Sequence, residues 1–158
     1  MDHRIQRLLE SRDLEAVEPK DTEIIGFWQK ACRAFDDARL PETSAEGSID
    51  RGYQAGFLAA TAVLHAAGYR VRGRGGGHHY NTFYALTALE DPDLARLAAE
   101  LNDLRVRRHE ALYEAVAEPE DEEVARLVLT VRELLRAGRS RLVAGRPGLH
   151  ESLGEAGP

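Results

Sequence analysis

Arg105 and Arg108, one helical turn apart in the stretch LNDLRVRRHEALYE at 101–114, carry the clearest chemical signal in the 158-residue chain. On a helical wheel Arg108 falls near the middle of the stripe made by Leu101, Leu104 and Leu112, with Arg105 beside it, while Arg107 points the opposite way. A guanidinium on an apolar face must find a carboxylate or line a wet groove, because an unpaired buried charge costs several kcal/mol. Two such cations suit a phosphate. The plainer alternative is a pair of stems lying on apolar surface with their heads paired or solvated. His109 sits at the edge of the stripe and Tyr113 further round, where either could join the arginines or serve as boundary packing.

The second signal is GYRVRGRGGGHHYNTFYAL at 68–86. A phosphate loop of the Walker type needs a lysine and a preceding strand, and this stretch offers neither. Zinc needs three or four well-spaced ligands, and His78 next to His79 without a cysteine cluster does not supply them, so no metal and no cofactor is expected. What remains is a basic loop that can close over the arginine helix and add Arg72, Arg74, His78 and His79 to a surface for RNA or nucleotide phosphate. A solvated connection, with His78 capping the next helix, is the commoner use of such glycines.

Apolar residues at a period of about 3.6 run through most of the chain and strand-like alternation is nearly absent, which predicts an all-α fold. The spacing predicts a first helix over 3–16, ended by Pro19, and a second from Asp21 to about Leu40, with Trp28, Ala31 and Phe35 in its stripe. A third helix capped by Ser48 would turn Ile49, Tyr53, Gly56, Ala60, Val63, Leu64 and Ala67 inward, its small residues at 56 and 60 allowing close helix contact. A short helix over 79–89 follows, then the arginine helix from Asp93 to about Val116, and a last helix opening in EPEDEEV. Five or six helices with short connections describe an antiparallel bundle. The chain divides into an N-terminal helix and linker at 1–20, the bundle at 21–144 and a disordered tail at 145–158, where apolar content is low.

Composition narrows the function classes. The net charge of −6 excludes a surface coated in phosphate-binding bases yet permits a local basic patch. No apolar run is long enough to span a membrane, and MDHRIQRLLESRD lacks the apolar core of a signal peptide, so a cytoplasmic protein is expected. Cys32 is the single cysteine and lies in an apolar helical pattern, as a packed thiol does.

Arg108, His109, Glu110, Ala111, Leu112 and Tyr113 resemble the R-N-x-A-x-Y motif of HEPN domains, with histidine in place of asparagine. The order of elements over 21–143, from the small and apolar run at 53–67 through a short helix to the arginine helix, is similar to that family too. The resemblance implies a helical-bundle homodimer that sets the motif of both chains around a shared cleft. It implies RNA or a nucleotide as ligand, and a nucleotidyltransferase as partner protein in a toxin–antitoxin or defence system.

Active members of that family are metal-independent ribonucleases that use an arginine followed after four to six residues by a histidine. The chemistry is intelligible, since histidine can move the 2′-hydroxyl proton while arginine stabilises the phosphorane. Here Tyr113 fills the histidine position counted from Arg108, and only three residues separate Arg105 from His109. A tyrosine of ordinary pKa is a poor base at neutral pH. Arg72 to His78 and Arg74 to His79 have the spacing, but on a glycine-rich loop that does not fix their geometry. The sequence thus favours binding of RNA or a nucleotide through Arg105, Arg108, His109 and Tyr113, with the Arg72–His79 loop alongside. Whether the chain is an enzyme stays open. A ribonuclease, with Arg108, His109 and Tyr113 as candidate catalytic groups and His109 or a loop histidine as base, and a purely structural dimer are the alternatives.

Overall fold

The computed structural model describes residues 1–73 and 77–155. In chain order the elements are α1 (His3–Glu10), β1 (Leu14–Ala16), α2 (Asp21–Ala38), α3 (Ala45–Ala66), β2 (Tyr69–Val71), α4 (His78–Leu86), α5 (Pro92–Tyr113) and α6 (Asp121–Gly145), closed by a single 3₁₀ turn at Pro147–Leu149. The fold is an all-α bundle, as the periodicity predicts, with one two-stranded antiparallel ribbon among the described residues.

The ribbon corrects the first predicted helix. α1 ends at Glu10, the chain reverses through Arg12 at φ 63°, and Leu14, Glu15 and Ala16 pair with Val71, Arg70 and Tyr69. Strands of three residues are too short to show an alternating pattern. Ile5, Leu8 and Leu14 are buried in the same core as the later helices, so 1–20 is part of the bundle rather than an appendage.

Capping residues set the helix starts. The sequence points to Ser48 for α3, but Ser44 does the capping, its Oγ accepting the Gly47 N–H at 3.1 Å, and Ser48 is buried a turn inside. α5 is capped by Asp91, whose Oδ1 accepts the Leu94 N–H at 3.1 Å, with Pro92 at the first helical position where its missing N–H costs nothing. The helix ends at Tyr113, three residues before the predicted limit. α6 opens on a capping box in which Glu120 and Glu123 each satisfy the other's backbone N–H.

α3 is the central element and packs against α2, α4, α5, α6 and β2. A Cβ at Gly56 would lie 2.8 Å from Leu101 Cδ1, so this glycine sets how closely α3 approaches α5. Up to residue 155 the tail differs from the disorder expected of 145–158, its last three residues lying outside the described ones. Leu149 and Leu153 are buried, and the Leu153 carbonyl accepts the indole N–H of fully buried Trp28 at 3.2 Å. Arg139 holds the same segment through the His150 carbonyl at 3.1 Å. Two leucines four residues apart join the hydrophobic core that contains Trp28, too few apolar residues for a periodic signal.

Candidate functional site

Asp50, Tyr53 and Phe57 stand on one face of α3, at the three-, four- and seven-residue spacings that stack side chains along a helix. Arg108 of α5 crosses to that face. Its Nη2 lies 2.7 Å and its Nε 2.9 Å from Asp50 Oδ1, and its guanidinium carbon sits 5.2 Å from the centre of the Tyr53 ring. The charge on the apolar stripe is therefore answered by a carboxylate and an aromatic face, with 27% of the Arg108 side chain still open to solvent.

His79 enters from the first turn of α4. Its imidazole stacks on Tyr53 at 5.6 Å and on Phe57 at 4.2 Å, and its Nδ1 shares a 3.2 Å hydrogen bond with the Tyr53 hydroxyl. Burial pushes the His79 pKa below its ordinary value, and the charges of Arg108, His78 and Arg105 push the same way, so the ring is neutral at pH 7. Tyr53 goes in the other direction. Burial raises its hydroxyl to about 12 against the opposing pull of Arg108 and Arg105, which keeps the phenol protonated.

Arg105 is exposed and makes no ion pair among the described residues. Its charge nevertheless reaches both Tyr53 and His79. The surface thus presents one cation held by Asp50, one cation without a carboxylate, and a neutral imidazole fixed between two aromatic rings.

The remaining sequence candidates are distributed elsewhere. His109 and Tyr113 are 65% and 70% exposed near the end of α5, their rings 5.3 Å apart, and His109 Nε2 is 3.9 Å from Glu114. Arg72 is tied to Glu15 across the β-ribbon at 2.6 Å rather than reaching over the arginine helix. Arg74 lies outside the described residues. His78 packs edge-on against Phe57 at 5.3 Å and against His79 at 6.1 Å. Arg107, on the opposite side of α5, binds Glu123 of α6 at 2.6 Å.

Asp50 and Phe57 escape sequence reasoning, and Tyr53 is legible only as a core residue. One signal for Asp50 exists: it is an acid directly beside Ile49 at the border of the inward face of α3, where a carboxylate is costly without a cation opposite.

Cys32 is half-buried against the core and burial raises its thiol pKa, so it is protonated and unreactive. Among the described residues no group of three His, Cys, Asp or Glu side chains gathers to hold a metal ion, and no helix is long and apolar enough to cross a membrane. No family model, curated protein or solved structure matches the chain.

Proposed function

We propose that the chain is a HEPN-like bundle that binds RNA or a nucleotide phosphate on the α3–α4–α5 face, with Arg105 and Arg108 as the cations that meet the phosphate. The observation that carries this reading is Arg108, held by a single oxygen of Asp50 over the Tyr53 ring that stacks on neutral His79. One turn away on α5, Arg105 is exposed and without an ion pair among the described residues, and its charge acts on both Tyr53 and His79. A structural ion pair alone explains Arg108 but does not call for the second cation. Phosphate supplies the missing negative charge, and the planar guanidinium suits its oxygens.

The motif resemblance at 108–113 supports the same reading, and the homodimer and nucleotidyltransferase partner of such domains are proposed with it. Val106 and Tyr113, exposed on α5, give a second copy apolar surface to cover. A cytoplasmic setting follows from the same proposal.

A ribonuclease is the second reading, with His109 or a loop histidine as its base, and one observation favours the loop histidine His79. In the tautomer whose Nδ1–H donates to the Tyr53 oxygen, His79 Nε2 keeps a lone pair and can take the proton of a 2′-hydroxyl. His109, largely exposed on the last turn of α5, lacks such an orienting contact.

One gel that reports both mobility shift and cleavage of end-labelled mixed-sequence RNA tests these readings, with Arg108→Ala, His79→Ala and His109→Ala beside the wild type. A shift without cleavage that Arg108→Ala weakens is the expected result. Cleavage abolished by His79→Ala makes the protein a ribonuclease instead. No shift at any protein concentration overturns the RNA reading.

A further inference from the structure

Between α2, α3, β2 and α4 lies a partly open cavity of about 200 Å³, with Phe57 and His78 in its lining. Phe27, Phe57, Leu58, Leu64, Tyr69 and Val71 give it mainly apolar walls. We propose that this cavity is a binding site for a small neutral aromatic molecule of one or two rings that carries an N–H or O–H donor.

Size and shape set the ring count. An apolar cavity of about 150 Å³ accommodates benzene, so the present volume takes a substituted ring or a fused pair. The walls are oriented for it. Phe57 meets His78 edge-to-face at 5.3 Å, and Phe27 meets His65 in the same manner at 6.3 Å, so flat faces and ring edges already line the space in fixed directions.

The polar groups decide the ligand's chemistry. The Thr61 hydroxyl donates its proton to the Phe57 carbonyl and the Thr82 hydroxyl donates to the His78 carbonyl, each at 2.8 Å. Both oxygens keep lone pairs free to accept. His65, 2% exposed, has its Nε2 committed 2.8 Å from Glu23. The two threonine oxygens, their protons already spent, can only accept, so a ligand that meets them needs a donor; Tyr69, Arg70 and His78 of the same lining supply donors of their own.

Charge at the rim is already compensated. Arg70, the guanidinium in the lining, pairs with Glu23 at 2.9 Å, so its charge is already met by a carboxylate and an anionic ligand gains little there. A neutral molecule fits that balance.

The proposal stands apart from the arginine face, although Phe57 and His78 border both, and its test is separate. Indole, phenol, benzoate and benzene are titrated into the full chain by calorimetry and by ligand-observed NMR. Indole or phenol binds in the micromolar to low-millimolar range, tighter than benzoate. Thr61→Val with Thr82→Val weakens indole about tenfold, the scale of lost hydrogen bonds, and leaves benzene unchanged. Leu58→Trp, at a half-exposed position where a larger ring fills the space, abolishes binding, and its urea midpoint shows that the variant folds. Absence of binding by any probe, preference for benzoate, or full binding by Leu58→Trp overturns the proposal.

Discussion

Asp50 holds Arg108 through a single oxygen, Oδ1, which accepts the Nε–H at 2.9 Å and lies 2.7 Å from Nη2, while 33% of the Asp50 side chain stays exposed. The arrangement fixes the guanidinium over the Tyr53 ring and at the same time competes with any anion that approaches it. Asp50→Asn removes the competing charge and keeps an oxygen in place. Its RNA affinity rises several-fold while stability falls by about 1 kcal/mol, the order of a partly exposed ion pair. Fluorescence anisotropy and urea melts check the two effects, and a loss of affinity in Asp50→Asn would favour a structural Arg108.

Two histidines make stability depend on pH. His65 and His79 both have pKa values pushed below the ordinary 6.5, by burial first, with Glu23 opposing the shift at His65. The folded state therefore binds these protons more weakly than the unfolded chain. Their contribution to stability is complete above about pH 6.5 and is lost as pH falls from there through the folded-state values. Urea midpoints at pH 7.5 and 5.5 differ in that direction, and His65→Gln narrows the difference; an equal drop in the variant would discharge His65 from this role.

The closing segment is structural. Leu149→Ala and Leu153→Ala each destabilise by about 2–4 kcal/mol, the range for buried leucines that leave a cavity. Removing 147–158 also strips the carbonyl that accepts the Trp28 N–H. Thermal melts of the three variants decide the point, and wild-type stability in the truncated chain would mean that the tail contributes nothing.

Gly56 sets the approach of α5 to α3. Its Ala variant pushes a methyl into Leu101, which is fully buried and has little room to yield, and costs about 1–3 kcal/mol as overpacked cores do. The same shift moves Arg105 and Arg108 relative to Tyr53. RNA affinity therefore falls along with the urea midpoint, and a variant with lowered stability and unchanged affinity would uncouple the glycine from the site.

The bundle is legible in the sequence because helices three turns and longer repeat their apolar stripe often enough to fix both existence and face. Trp28, Phe35, Tyr53 and Leu101 all turn inward as their spacing requires. The ribbon is not legible, since three residues of β1 gain their identity only from β2, far along the chain. Ser44 outcompetes Ser48 because the loop before α3 leaves room for an additional turn, which local propensity does not report. At the site, the wheel identifies Arg108 as a cation on an apolar face, a statement about one helix. Asp50, Tyr53 and His79 join it through packing between three helices, and no spacing along the chain encodes that. His109 and Tyr113 fit a linear motif and yet stand away from Asp50 and Tyr53, because α5 ends where they project into solvent.

If Arg105 and Arg108 meet phosphate, their charges must show in the salt dependence of RNA binding. Arg105 is exposed and unpaired among the described residues, so Arg105→Ala leaves stability within about 0.5 kcal/mol. Binding constants of wild type and Arg105→Ala for single-stranded RNA are measured over a range of salt concentrations. Loss of one phosphate contact lowers affinity and reduces the slope of log K against log salt by about 0.7. The same slope and the same affinity in both proteins would mean that Arg105 meets no phosphate.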